Sequence, residues 1–156
     1  MSGFGQRYVV DTNALSQIGR RRRSMAYFRE HAAIPSEVAR EAEGFPDIDA
    51  LQENVLPTTS HVLEWLVQVM ASVPAEDTTL VDLYANRGSA DPLVVACALN
   101  GQALDSVYLD APEWIVVTGD DAVRIKAGEF GLRVLSSAEF AAVIDASESR
   151  EFDEKA

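Results

Sequence analysis

The chain predicts a single α/β domain built on a central, largely parallel sheet with helices on both faces. Three observations carry that expectation. Short β-branched runs, Tyr8-Val9-Val10, Trp114-Ile115-Val116-Val117 and Leu132 to Leu135, are too short for helices and alternate with segments of helical period. Runs that are apolar at nearly every position suit strands buried on both faces, as in a parallel sheet. Pro92 to Leu99 is apolar on nearly every side, which predicts a central buried helix. At 156 residues the length suits one domain. Its predicted extent is 1–146, with a charged, frayed tail over 147–156.

The first strand runs from Gln6 to Val10 and stops at Asp11, before a helix through Ala14, Leu15 and Ile18. The run Arg20-Arg21-Arg22-Arg23 sits at that helix's end, after Gly19. Met25, Tyr27 and Phe28 mark a second short helical piece. Ile34-Pro35-Ser36 reads as the start of a third, with Val38, Ala42 and Phe45 on one face and Gly44 and Pro46 closing it. Phe45 to Pro57 is acidic and reads as loop. Ser60 to Val73 is the clearest amphipathic helix, ended by Pro74, and Asp77 to Asn86 predicts another. Between Asn100 and Trp114, the stretch Ala103 to Leu109 reads as an added strand or a partner-binding segment. Ser136 and Glu139 form a capping box before a last helix over Phe140 to Ile144.

Composition narrows the class. Apolar residues make up 47%, ordinary for a globular protein and too many for intrinsic disorder. No apolar stretch reaches the ~18 residues that span a bilayer, and Met1 to Arg7 lacks a signal-peptide pattern. The single cysteine, Cys97, lies within the apolar helix and reads as a buried, inert thiol. One cysteine makes no internal disulfide, so a reducing cytoplasm is the expected compartment. The balance of 13 basic against 25 acidic residues, net −12, argues against nucleic-acid binding. Clustering of four of those cations at Arg20–Arg23 softens the objection, as would a metal among the acids.

The acids stand at element junctions. Asp11 and Asp120 follow predicted strands, and Asp91 opens the apolar helix. Singly, each is explained as a helix N-cap, and Asp91-Pro92 is a favourable cap and first-turn pair. Together they would repel one another and raise each other's pKa unless a cation were present. Hard divalent ions are held by such oxygen clusters. Glu41, beside the Val38 and Ala42 face, reads on pattern alone as a solvated helix residue.

The segments Val10-Asp11-Thr12-Asn13, Ile34 to Glu41, Ala90-Asp91-Pro92 through Ala98, and Val117-Thr118-Gly119-Asp120 resemble, in order and separation, those of the PIN-domain ribonucleases. They look most like the small single-domain members that include the VapC toxins of toxin–antitoxin pairs. The likeness runs from Tyr8 to about Ile144. It implies a three-layer PIN-like fold and an acidic quartet of Asp11, Glu41, Asp91 and Asp120. Asn13 and Thr118 would then hold carboxylates in place, and Arg87 would stand near the site to meet substrate. Asp121 competes with Asp120 for the fourth position, although Thr-x-Asp is the family spacing. Pro92 stands where the family often has another residue, and the connection from Asn100 to Trp114 is longer than usual.

What the resemblance implies in function is metal-dependent hydrolysis of RNA phosphodiester bonds with one or two Mg²⁺ or Mn²⁺ ions, leaving 5′-phosphates. It also implies an RNA substrate, an antitoxin protein as partner where the chain is a toxin, and a homodimer; nothing points to a membrane. The alternative is a catalytically silent PIN-like domain that binds RNA or protein. A haloacid-dehalogenase-like phosphatase also begins with a strand ending in Asp, but needs a second Asp where Asn13 stands. The Arg20–Arg23 run reads equally as a phosphate contact, an antitoxin contact or a solvated surface.

Overall fold

Five short strands, β1 (Gln6–Val10), β2 (Ala32–Pro35), β3 (Val55–Leu56), β4 (Glu113–Val117) and β5 (Arg133–Leu135), pair in the order β3-β2-β1-β4-β5, every pairing parallel. The computed structural model describes residues 5–72 and 90–155, with the side chains of 90, 91 and 151–155 excluded. Parallel neighbours need crossover connections, which helices supply. These are α1 (Thr12–Arg23), α2 (Ala26–His31), α3 (Ser36–Glu41), α4 (Ser60–Ala71), α5 (Ala90–Asp105), α6 (Asp121–Glu129) and α7 (Ser137–Lys155), with a 3-10 helix at Ile48–Asn54. The predicted helix over 77–86 lies outside the described residues.

The helices form two layers around the sheet. On one face α1, α2 and α7 pack together, and on the other α4, α5 and α6 do. Alternation along β1 shows the two sides. Tyr8 meets the Tyr27 and Phe140 rings of α2 and α7, whereas its neighbour Arg7 shares a cavity wall with α5 residues. Val9, Val10, Ile115, Val116 and Val117 are wholly inaccessible, as the continuous apolar runs predict for strands covered on both sides. Among the described residues, no helix is long and apolar enough to cross a membrane.

Several elements differ from the sequence expectation. Ile34-Pro35 ends strand β2 instead of opening a helix, and α3 begins one residue later at Ser36. The acidic stretch expected as loop holds the 3-10 helix and β3. The buried Asn54 amide anchors it by donating to the carbonyls of Arg29 at 3.1 Å and Ala32 at 2.9 Å. The stretch Ala103 to Leu109 forms no strand: α5 continues through Asp105, and turns follow. Gly101 is required within α5, because a Cβ there would sit 2.4 Å from the Trp114 ring. α7 continues well beyond Ile144, through the stretch expected to fray. Arg21 and Arg22 hold its exposed face through Glu148 and Asp145.

Candidate acidic site at the carboxyl end of the sheet

From β1 the chain builds outward through β2 to β3, then returns to β1's other side for β4 and β5. Strand order therefore reverses between β1 and β4. In open parallel sheets, the crevice beyond the carboxyl ends at such a reversal is where ligands bind. The register pairs Val10 with Val117, so the residues following the two strands emerge side by side. The Asp11 N–H extends the ladder by one bond, to the Val117 carbonyl at 3.1 Å.

Asp11 is buried, at 3% exposure. Its Oδ1 accepts the Ala14 N–H at 2.8 Å, capping α1, and its Oδ2 accepts the Thr118 hydroxyl. That same Thr118 oxygen accepts the Asp120 N–H at 3.0 Å. Asp120 in turn caps α6, its Oδ1 accepting from Ala122 at 2.8 Å and Val123 at 3.2 Å. Both acids are thus helix caps, and Thr118 joins them. Burial raises the Asp11 carboxyl above its ordinary pKa; the bonds from Thr118 and Ala14 oppose the rise, and the charge of Asp120 adds to it. Removal from water outweighs two hydrogen bonds here.

Glu41 ends α3 at the same edge. It is exposed, and its Oε2 accepts the Thr12 hydroxyl at 2.9 Å, so the residue after Asp11 tethers it. Thr12 lies in the Val10-Asp11-Thr12-Asn13 segment, but no sequence pattern points to this role. Asn13 is exposed in the first turn of α1, without a side-chain hydrogen bond among the described residues. Asp121 turns outward and pairs with Arg124 at 2.9 Å.

The position of Asp91 follows from the direction of α5. Gly101 lies against Trp114, and Asp105 accepts that indole N–H at 2.8 Å, which sets the helix's end beside the start of β4. The helix runs back against the strands, about 16 Å from Gly101 to Ala90. A strand covers about 13 Å from Arg7 to Asp11. The backbone of position 91 is thereby brought to the carboxyl edge. The Asp91 side chain and Arg87 lie outside the described residues.

The arginine run is largely committed to the fold. Gly19, at φ 86°, breaks α1, and the arginines beyond it reach three different acids. Arg23 is buried, makes a bidentate pair with Asp47 at 2.9 Å, and donates to the Leu15 carbonyl. Its guanidinium holds the Asp47 carboxyl below the usual range. Arg22 pairs with Asp145 and Arg21 with Glu148.

Among the described residues, no three His, Cys, Asp or Glu side chains gather closely enough to hold a metal ion. Carboxylates such as those of Asp11 and Asp120 are the donor type that a hard divalent cation takes. Both offer carboxylate oxygens, each carboxylate has about four acceptor positions, and Asp120 Oδ2 makes no hydrogen bond among the described residues. The charge of Asp120 adds to the rise of the buried Asp11 carboxyl, and a cation would oppose that rise. Compared with models of known protein families and with curated proteins, the chain matches none.

Proposed function

We propose that the chain is a metal-dependent endoribonuclease of the PIN kind, hydrolysing RNA phosphodiester bonds at the carboxyl edge of its sheet. One observation carries the reading: Thr118 ties Asp11 to Asp120 where the strand order reverses, and burial raises the Asp11 carboxyl. Capping accounts for one oxygen of each carboxylate, and the charge of Asp120 adds to the rise that burial imposes on Asp11. Asp11 and Asp120 would hold Mg²⁺ or Mn²⁺, with Asp91 supplying a third carboxylate and Glu41 a fourth. A bound ion supplies a water of lowered pKa and neutralises charge on the scissile phosphate.

The chain's own side chains do the positioning. Thr118 fixes the orientation of the Asp11 carboxylate, as hydrogen-bonding partners of metal ligands do. Thr12 holds Glu41 toward the same edge, where it would orient the attacking water. Substitution Asp11→Asn tests the reading. It keeps the cap and the size of the side chain, and should abolish Mn²⁺-dependent RNA cleavage in a folded protein.

A second reading draws on charge. The net charge of −12 and the internal pairing of Arg21, Arg22 and Arg23 favour a silent PIN-like domain that binds a partner. Mn²⁺ titration separates the two, because a silent domain gives neither cleavage nor Mn²⁺-dependent stabilisation. An antitoxin partner, a homodimer and a cytoplasmic location belong to the proposal as consequences of the toxin-like resemblance.

A further inference from the structure

We propose that the cavity between α4, α5 and the amino-terminal ends of β1 and β4 binds small amphipathic carboxylates, molecules with one carboxylate on an aliphatic or aromatic body. The cavity holds about 550 Å³, within the size range of small-molecule sites. None of Asp11, Glu41, Thr118 and Asp120 lines it. Arg7 and Trp114, which face it, pair at the starts of their strands, about 13 Å before Asp11 and Thr118.

The walls are mainly apolar, with Leu56, Val62, Leu104 and the Trp114 indole contributing. Leu104 is 60% exposed at the mouth, a surface that an aliphatic or aromatic body would cover. The cation is Arg7. Its guanidinium lies 5.5 Å from the Trp114 ring centroid, and one N–H donates to the Glu30 carbonyl at 3.2 Å. A guanidinium has five N–H donors, and no carboxylate lies within ion-pair distance of this one among the described residues.

That isolation is unusual within this chain. Arg22 and Arg23, the other arginines not fully exposed among the described residues, each grip a carboxylate with two bonds. Acids outnumber bases 25 to 13, so partners are plentiful. The acid of the cavity wall, Asp105, is engaged instead by the Trp114 indole N–H at 2.8 Å. A half-buried guanidinium beside an apolar cavity suits a ligand that brings its own carboxylate and an apolar body.

The test uses the full chain carrying Trp65→Phe, which leaves Trp114 as the sole tryptophan. Its emission is followed during titration with decanoate, decanol and decyltrimethylammonium. Decanoate should bind saturably at one site, roughly tenfold or more tighter than decanol, given the strength of hydrogen bonds to charged groups. The cationic probe should not bind. Arg7→Gln should erase the preference for decanoate over decanol, and Leu104→Glu should abolish both. If Arg7→Gln does not fold, Leu104→Glu at an exposed position and the comparison of the three probes decide. Equal affinity for decanoate and decanol, a preference that survives Arg7→Gln, binding unaffected by Leu104→Glu, or no saturable binding overturns the proposal.

Discussion

The Thr118 hydroxyl donates to the buried carboxylate of Asp11, 107 positions earlier in the chain. Because the same oxygen accepts the Asp120 N–H, one side chain fixes the relation between two acids that follow adjacent strands. Thr118→Val keeps the shape and removes the hydroxyl, leaving Asp11 Oδ2 buried without its donor. Unfolding by denaturant should show a loss of about 1–3 kcal/mol. If Asp11 holds a metal, Mn²⁺ affinity in a thermal-shift titration should fall about 10–100-fold. Thr118→Ser should restore both.

The raised Asp11 carboxyl predicts a pH dependence whose sign is fixed. A carboxyl whose pKa is higher folded than unfolded favours the native state below its unfolded value of 3.8. That contribution is lost as the pH rises through the folded value, so at neutral pH the buried charge is a full liability. Asp11→Asn keeps the bond from Ala14 and removes the charge. In metal-free buffer at neutral pH it should melt at or above the wild-type temperature. Its advantage should shrink toward pH 4. A variant that melts lower at pH 7 would show that Asp11 is not strained by its burial.

Arg23 should behave as a structural residue. Its guanidinium lies over the Phe45 ring, is 6% exposed, and grips Asp47 with two bonds. Arg23→Ala leaves Asp47 without its partner and should cost about 3–5 kcal/mol by chemical denaturation. Arg20 is exposed, and Arg20→Ala should leave stability within about 0.5 kcal/mol of the wild type.

Gly101 sets helix propensity against packing. In a solvent-exposed helix, Gly→Ala stabilises by about 1 kcal/mol. Here the new methyl would meet the Trp114 ring at 2.4 Å, and overpacking costs about 1–3 kcal/mol. Net destabilisation with a shifted Trp114 emission is expected. A gain in stability would mean that the ring moves freely.

How much of this was legible follows from particular residues. β1, β4 and β5 were visible because Val, Ile, Trp and Tyr in short runs leave few alternatives. β2 was hidden because its Ala32-Ala33 pair has little strand preference and Pro35 mimics a helix start. β3 has two residues, too few for any pattern. Ser136 and Glu139 form the expected reciprocal caps, at 3.0 and 3.1 Å. The length of α7 was not visible, because Arg21 and Arg22 support it from the far end of the chain. At the site, Asp11 and Asp120 stand out as strand ends; of the two side chains the resemblance gave for holding carboxylates, Thr118 bonds Asp11, and Asn13 makes no side-chain hydrogen bond among the described residues. The Thr12 bond to Glu41 depends on how α1 and α3 approach one another, a relation that spacing alone does not encode.

One comparison decides whether the acidic edge cleaves RNA. Purified wild-type chain and Asp11→Asn are incubated with labelled single-stranded RNA, with Mn²⁺ and with chelator, and the ends of the products are identified. The wild type should show Mn²⁺-dependent cleavage that leaves 5′-phosphates, lost with chelator and lost in Asp11→Asn while that variant still melts cooperatively. Undiminished cleavage by Asp11→Asn, or no Mn²⁺-dependent cleavage by the wild type, would contradict that proposal.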